Sequence, residues 1–378
     1  MRMLVLLFAL LGLAQAQTVE EARLARAELA MPEVRAAFQG LERDFAHDWQ
    51  RTTSADEATR LARETGRRLW LGARARLQQL ADYDDRPLYW SRLALSRTVR
   101  DTAPGFAISP AQRAAALAAL ELASRGQDEL QFAARGAQKR VLITGFDPFL
   151  LERNLNQSNP SGVAALWLDG RELILDGQHI RIEAAVFPVR YADFDAGTVE
   201  RFLRPWLGQI DLLATISMGR QDFDLERFPG RRRSANVVDN QDLLPGASRQ
   251  DPQPPKLDGQ PLNGPEFVEF SLPVAAMQRA QGPYRIVDNR WVRVAPDTRL
   301  EASSLAALAG QTAVEGGGGG YLSNEISYRA VRLRDELGLR QLPVGHIHTP
   351  AIAAFEPDKT RDIVAQIEAM LRAALQPG

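Results

Sequence analysis

The feature that most constrains this chain is a change of period at Lys139-Arg140. Before it, from Thr18 to about Gln138, apolar residues recur at helical spacing almost throughout, as in Ala58, Leu61, Ala62, Leu69, Leu77 and Leu80. After it, short apolar runs alternate with helical patterns. Val141-Leu142-Ile143-Thr144 reads as a buried strand, closed by the turn Gly145-Phe146-Asp147-Pro148-Phe149. Further strand patterns fall at 180–189, 210–216 and 342–348, and helical ones at 194–207, 273–280, 323–336 and 359–375. This alternation predicts an α/β domain over 139–376, three layers (α/β/α) around an open, largely parallel sheet. An all-α domain over 17–138 precedes it. In such sheets ligands bind outside the carboxyl ends of the strands.

The helical part carries its own start signals. Ser54-Ala55-Asp56-Glu57 and Ser109-Pro110-Ala111-Gln112 have the spacing of capping boxes, the second with proline at the first helical position. Trp49, Trp70 and Trp90 are expected to anchor a small helical core, and alternating Arg and Glu mark solvated faces. Nothing in this region points to chemistry.

Composition narrows the function classes. The 378 residues are 45% hydrophobic and 25% charged, with a net charge of -1. That balance suits a globular protein of two domains and gives no electrostatic footprint for nucleic acid. Arg231-Arg232-Arg233 reads as a solvated loop, and 242–265 as a surface insertion. The absence of cysteine removes disulfides, thiolate metal sites and a cysteine nucleophile together. At the start, Arg2, the apolar run Leu4 to Leu13 and Ala14-Gln15-Ala16 have the form of a secretory signal over 1–16. The expected location is periplasmic or secreted, with no membrane span left after cleavage.

The residues able to carry chemistry lie in the second part. Glu315-Gly316-Gly317-Gly318-Gly319-Gly320-Tyr321-Leu322-Ser323-Asn324 joins a five-glycine turn to a helix start. Such a junction presents unpaired N–H groups, which suit an anion or the oxyanion of acyl transfer. Gly319 and Gly320 would shape it, with Ser323 at its lip. His346 and His348 alternate on a strand and share a face, a spacing that serves either a metal pair or a single general base. No third ligand accompanies them, so no metal or other cofactor is expected. With Glu226, the candidates Ser323 and His348 would complete a nucleophile, base and carboxylate set if the fold brings them together. Phe146 and Phe149, flanking Pro148 at a strand's carboxyl end, are expected to line the pocket together with Leu322.

From about Lys139 to Glu356 the chain resembles the pyroglutamyl-peptidase I family, cysteine peptidases that remove an N-terminal pyroglutamate. The resemblance rests on Val141 to Phe149, on Asn159-Pro160-Ser161, Glu226-Arg227, Asp239-Asn240, Leu272-Pro273-Val274, and Gly345-His346-Ile347-His348-Thr349-Pro350, in the family's order. It implies Glu226 and His348 as catalytic residues and a peptide as substrate or ligand. It also implies Ser323 at the position of the nucleophilic cysteine, and Asn236 where the family has an arginine near the oxyanion. Glu325 replaces a common histidine, and 18–138 has no counterpart. A thiolate site refilled with serine leaves two expectations: a hydrolase using Ser323, or a module that keeps the pocket and binds without turnover.

Overall fold

A computed structural model of the protein describes residues 17–128, 130–132 and 138–376. The secretory signal expected over 1–16 lies outside the described residues. Twelve strands are present among them, all at or beyond Lys139: β1 (Lys139–Phe146), β2 (Glu172–Leu175), β3 (Gln178–Phe187), β4 (Leu212–Met218), β5 (Phe223–Glu226), β6 (Lys256–Leu257), β7 (Gln260–Pro261), β8 (Ile286–Asn289), β9 (Trp291–Val294), β10 (Thr298–Glu301), β11 (Ala313–Glu315) and β12 (Val344–Thr349).

Seven of these form the main sheet, in the order β2-β3-β1-β4-β12-β5-β8. The central strands β3, β1, β4 and β12 run parallel. They are buried on both faces, which explains their unbroken apolar sequences. The edges reverse direction: β2 is antiparallel to β3, and β5 is antiparallel to β12. Helices Pro160–Leu168 and Pro357–Leu375 pack together on one side, while Thr198–Leu203 and Leu322–Glu336 pack on the other. The three-layer α/β arrangement is therefore present, preceded among the described residues by helices without strands.

Local chemistry explains the tightest crossing. Asn159 accepts a hydrogen bond from Ser161 N and caps helix Pro160–Leu168, with Pro160 at its first position. A Cβ at Gly145 would stand 2.2 Å from Ser161 O, so only glycine lets the end of β1 meet that helix start.

Several details depart from the sequence pattern. Ser54 accepts from Glu57 N, but Glu57 turns to Thr53 N and Oγ1 instead of closing the box; Ser109 and Gln112 close theirs. The 194–207 pattern is two helices, Tyr191–Asp195 and Thr198–Leu203, parted at Gly197, whose φ is 77°. The insertion 242–265 contains the β6-β7 hairpin. A second small sheet, β10-β9-β11, is inserted in the chain between β8 and β12 of the main one. The tryptophans do not share one small core. Trp49 and Trp70 belong to one apolar core continuous with Val141 and Leu213 of the sheet, and Trp90 packs with Leu24, Leu93 and Leu151. Among the described residues no helix is long and apolar enough to cross a membrane.

Candidate active site

The carboxyl ends of β4, β12 and β5 converge on two histidines and a glutamate. His348 Nδ1 lies 2.6 Å from Glu226 Oε1, with both groups buried. Glu226 is the last residue of β5, and its Oε2 accepts from Asn289 Nδ2 at 2.6 Å. The same amide donates to Gly317 O at 3.2 Å, so Asn289 ties the carboxylate to the glycine turn. Burial pushes the Glu226 carboxyl above its ordinary range, and the bond from His348 works against that rise.

His346 is held differently. The Thr215 hydroxyl donates to Gly345 O and lies 2.8 Å from His346 Nδ1, so it accepts from Nδ1–H. That tautomer leaves Nε2 to accept from Ser217 Oγ, also at 2.8 Å. Burial, and then the neighbouring His348, push His346 well below its ordinary value, which keeps it neutral. The two rings meet edge to face at 4.8 Å. With both His346 nitrogens engaged and His348 Nδ1 on Glu226, only His348 Nε2 is left without a hydrogen-bond partner among the described residues. A shared metal would need a second free nitrogen, and the described residues contain no cluster of three His, Asp or Glu suited to an ion.

The glycine turn lies directly against this pair. Gly316 and Gly319 exchange backbone hydrogen bonds of 3.1 and 2.9 Å, and Gly319 has a φ of +86°. A Cβ on Gly317 would stand 2.6 Å from Glu226 Oε2, and one on Gly320 would stand 2.0 Å from Ser234 Oγ. The run of glycine is thus a requirement of close approach. Helix Leu322–Glu336 begins at once after Tyr321, so the N–H groups of Leu322, Ser323 and Asn324 have no carbonyl one turn back inside it. The Asn324 amide pins the helix start to Gly230, accepting from its N at 2.9 Å and donating to its O at 2.7 Å. Glu325 is buried between Arg233 and Arg329; burial pushes it up, but the two guanidiniums hold it below the usual carboxylate range.

Ser323 is half-buried, and its Oγ donates to Gly318 O at 3.1 Å rather than to His348. It opens onto a small hollow shared with Phe146, Phe149, Asn159, Tyr321 and Leu322. Ser217 lines this hollow too, and Ser217 pairs with His348 across β4 and β12. Phe149 stacks on Tyr321 at 6.5 Å, whereas Phe146, though it borders the hollow, is buried in the core of the sheet and stacks on Phe194 at 6.1 Å. Gly319 and Gly320 lie in the turn itself. Asn236 is brought to none of this: it is exposed, and its side chain makes no hydrogen bond among the described residues. Asn289 is present at the site without any mark in the sequence, since it belongs to no periodic run or turn motif; Tyr321 belongs to the glycine-to-helix junction and lines the same hollow as Ser323.

The helical region braces the segments that follow β1. Arg92 and Arg125 both grip Asp147, between the two phenylalanines, at 2.8 and 2.9 Å. Burial pushes Asp147 up, but Arg125 and Arg92 outweigh it and hold the carboxyl low. Asp85 accepts from Ser158 Oγ at 2.7 Å and from Asn159 N at 3.2 Å; burial pushes its carboxyl up to about 8. Arg23 donates to Asn240 O at 2.6 Å, and Asn240 in turn donates to Pro148 O at 2.9 Å.

Residues 10–121 match the PA0049 N-terminal domain, and residues 140–257 and 284–353 match the PA0049 C-terminal domain. The uncharacterized protein PA0049 of Pseudomonas aeruginosa is 32% identical over 421 aligned residues, covering 84% of this chain and 75% of that protein. Two solved structures of pyrrolidone carboxyl peptidase from Pyrococcus furiosus are also similar. One, of a mutant, has 19% identity and a TM-score of 0.42; the other has 18% and 0.44. Each covers 62% of this chain and 98% of its own. Matched by both domain descriptions and by this relative, the chain belongs to the PA0049 family.

Proposed function

We propose that the protein is an exported hydrolase that removes N-terminal pyroglutamate, or a similar acyl group, from peptides, with Ser323, His348 and Glu226 as nucleophile, base and orienting carboxylate. The observation that carries this reading is the buried 2.6 Å bond from His348 Nδ1 to Glu226. It leaves Nε2 of His348 as the proton acceptor, the tautomer that serine activation needs. Its support in the sequence is the ordered set of motifs around Glu226 and His348. The signal pattern over 1–16 supports export.

The chemistry follows from these positions. Ser323 Oγ swings away from Gly318 O and attacks the acyl carbon while its proton passes to His348 Nε2. The oxyanion is met by N–H groups at the helix start. Collapse breaks the amide C–N bond, the proton returns from His348 to the leaving amine, and water repeats the cycle on the acyl-serine. The hollow between Phe149, Tyr321 and Phe146 suits a flat lactam ring.

One observation favours the other reading, a module that binds peptides without turnover: the Ser323 hydroxyl is engaged by Gly318 O. Release of 4-nitroaniline from pyroglutamyl-4-nitroanilide separates the two. Turnover by the mature chain, lost in Ser323→Ala, supports the hydrolase. No turnover by either the native chain or Ser323→Cys, with binding of pyroglutamyl peptide retained, leaves the binding module.

A further inference from the structure

On the far side of the glycine turn lies a second, larger hollow of about 480 Å³. Gly316, Gly317 and Gly319 form its inner wall, and Asn289 its floor. Its rim carries four arginines, Arg220, Arg249, Arg293 and Arg299, against two carboxylates, Asp224 and Glu315. Nothing in the acyl-transfer chemistry above uses these groups.

Their arrangement is ordered rather than merely basic. Glu315 takes Arg249 Nε on Oε1 at 2.7 Å and Arg293 Nε on Oε2 at 3.1 Å. One carboxylate thereby orients two guanidiniums by their inner nitrogens. Both terminal nitrogens of Arg249 and one of Arg293 stay open, since the other Arg293 nitrogen is on Asp297. Arg299 lies over the Trp291 ring at 4.4 Å and has no carboxylate partner among the described residues. Arg220 closes the inner end: its Nη2 stands 3.7 Å from Glu226 Oε1, the atom that holds His348. The hollow therefore has, at its inner end, an arginine that also stands beside Glu226, and it runs along the glycine turn that precedes Ser323.

We propose that this cleft binds carboxylate side chains of the peptide on the leaving side of the scissile bond. The proposal rests on the hydrolase reading for its orientation, with the acyl ring in the aromatic hollow and the remaining peptide directed across the turn. Oriented arginine forks match carboxylates in pairs. Asp224 and Glu315 on the same rim lower its net charge, which suits one or two carboxylates rather than a polyanion backbone.

The test is calorimetric binding to the mature Ser323→Ala protein, which cannot consume its ligand. The probes are pyroglutamyl-Ala-Glu-Glu, pyroglutamyl-Ala-Gln-Gln and Ala-Glu-Glu. The acidic pyroglutamyl peptide should bind about tenfold more tightly than its amide counterpart, a margin that shrinks in high salt. Arg249→Gln with Arg299→Gln should bring the ratio to within about twofold; Arg299→Gln alone, at an exposed position, should lower it partway. Equal affinities, a preference that survives the double substitution, or no binding of either acidic peptide would overturn the proposal. The two readings fail separately. Arginine-dependent binding of Ala-Glu-Glu without turnover of pyroglutamyl peptides by the native chain removes only the hydrolase reading, and turnover without acidic preference removes only the cleft.

Discussion

His348 pairs with Asp224 across the antiparallel strands β12 and β5, yet its imidazole bonds Glu226, two residues further along β5. The diagonal reach between neighbouring strands is ordinary for long side chains. Its consequence is specific: the carboxylate that fixes the imidazole comes from a short strand held between β12 and β8, not from a loop, and Asn289 of β8 ties it to Gly317 of the turn.

Glu226→Gln should therefore keep the fold and lose the chemistry. The amide can still meet Asn289 and His348, but it no longer stabilises an imidazolium or enforces the Nδ1–H tautomer. Turnover of a pyroglutamyl anilide should fall by about 10³–10⁴-fold, as in other triads deprived of their carboxylate, with little change in the urea midpoint. A loss under tenfold would mean that Glu226 is a structural acid only.

The grip of Arg92 and Arg125 on Asp147 should matter to stability. Asp147→Asn leaves two buried guanidiniums facing a neutral amide, and breaking a buried pair in this way costs about 3–5 kcal/mol. Urea unfolding of native and variant proteins measures the difference. A change below about 1 kcal/mol would show that the helical region does not depend on this contact.

Much of this architecture is legible in the chain, and the gaps have physical causes. The central strands announce themselves because burial on both faces demands continuous apolar runs, as in Val141 to Thr144. The helix after the glycine turn announces itself through Ile326, Ala330, Val331 and Leu333. Strand β5 does not, because Phe223–Glu226 is four residues long and half of them are acidic. Asn289 is silent for the same reason, ending a short edge strand with no period of its own. The Ser54 box fails because Thr53, one step earlier, offers Glu57 both an N–H and a hydroxyl. Periodicity around Trp49 and Trp70 reveals an apolar face, but not that the face continues into the core of the sheet.

Acid should weaken the fold through His346. Its folded value is depressed well below the ordinary 6.5, so the unfolded chain binds the proton more readily. The contribution of this group is fully present above pH 6.5 and is lost as pH falls towards the folded value, by up to about 1.4 kcal/mol per pH unit. His346→Gln, which can still meet Thr215 and Ser217, should flatten that acid limb in urea unfolding between pH 7.5 and pH 5. An unchanged slope would assign the acid sensitivity to other groups.

Covalent labelling of the protein with a fluorophosphonate, followed by peptide mass mapping, tests Ser323 as nucleophile. One adduct is expected, on Ser323, formed in the native protein and absent when His348 is replaced by Ala. A native protein that folds and binds pyroglutamyl peptide, yet carries no adduct on Ser323, would contradict it.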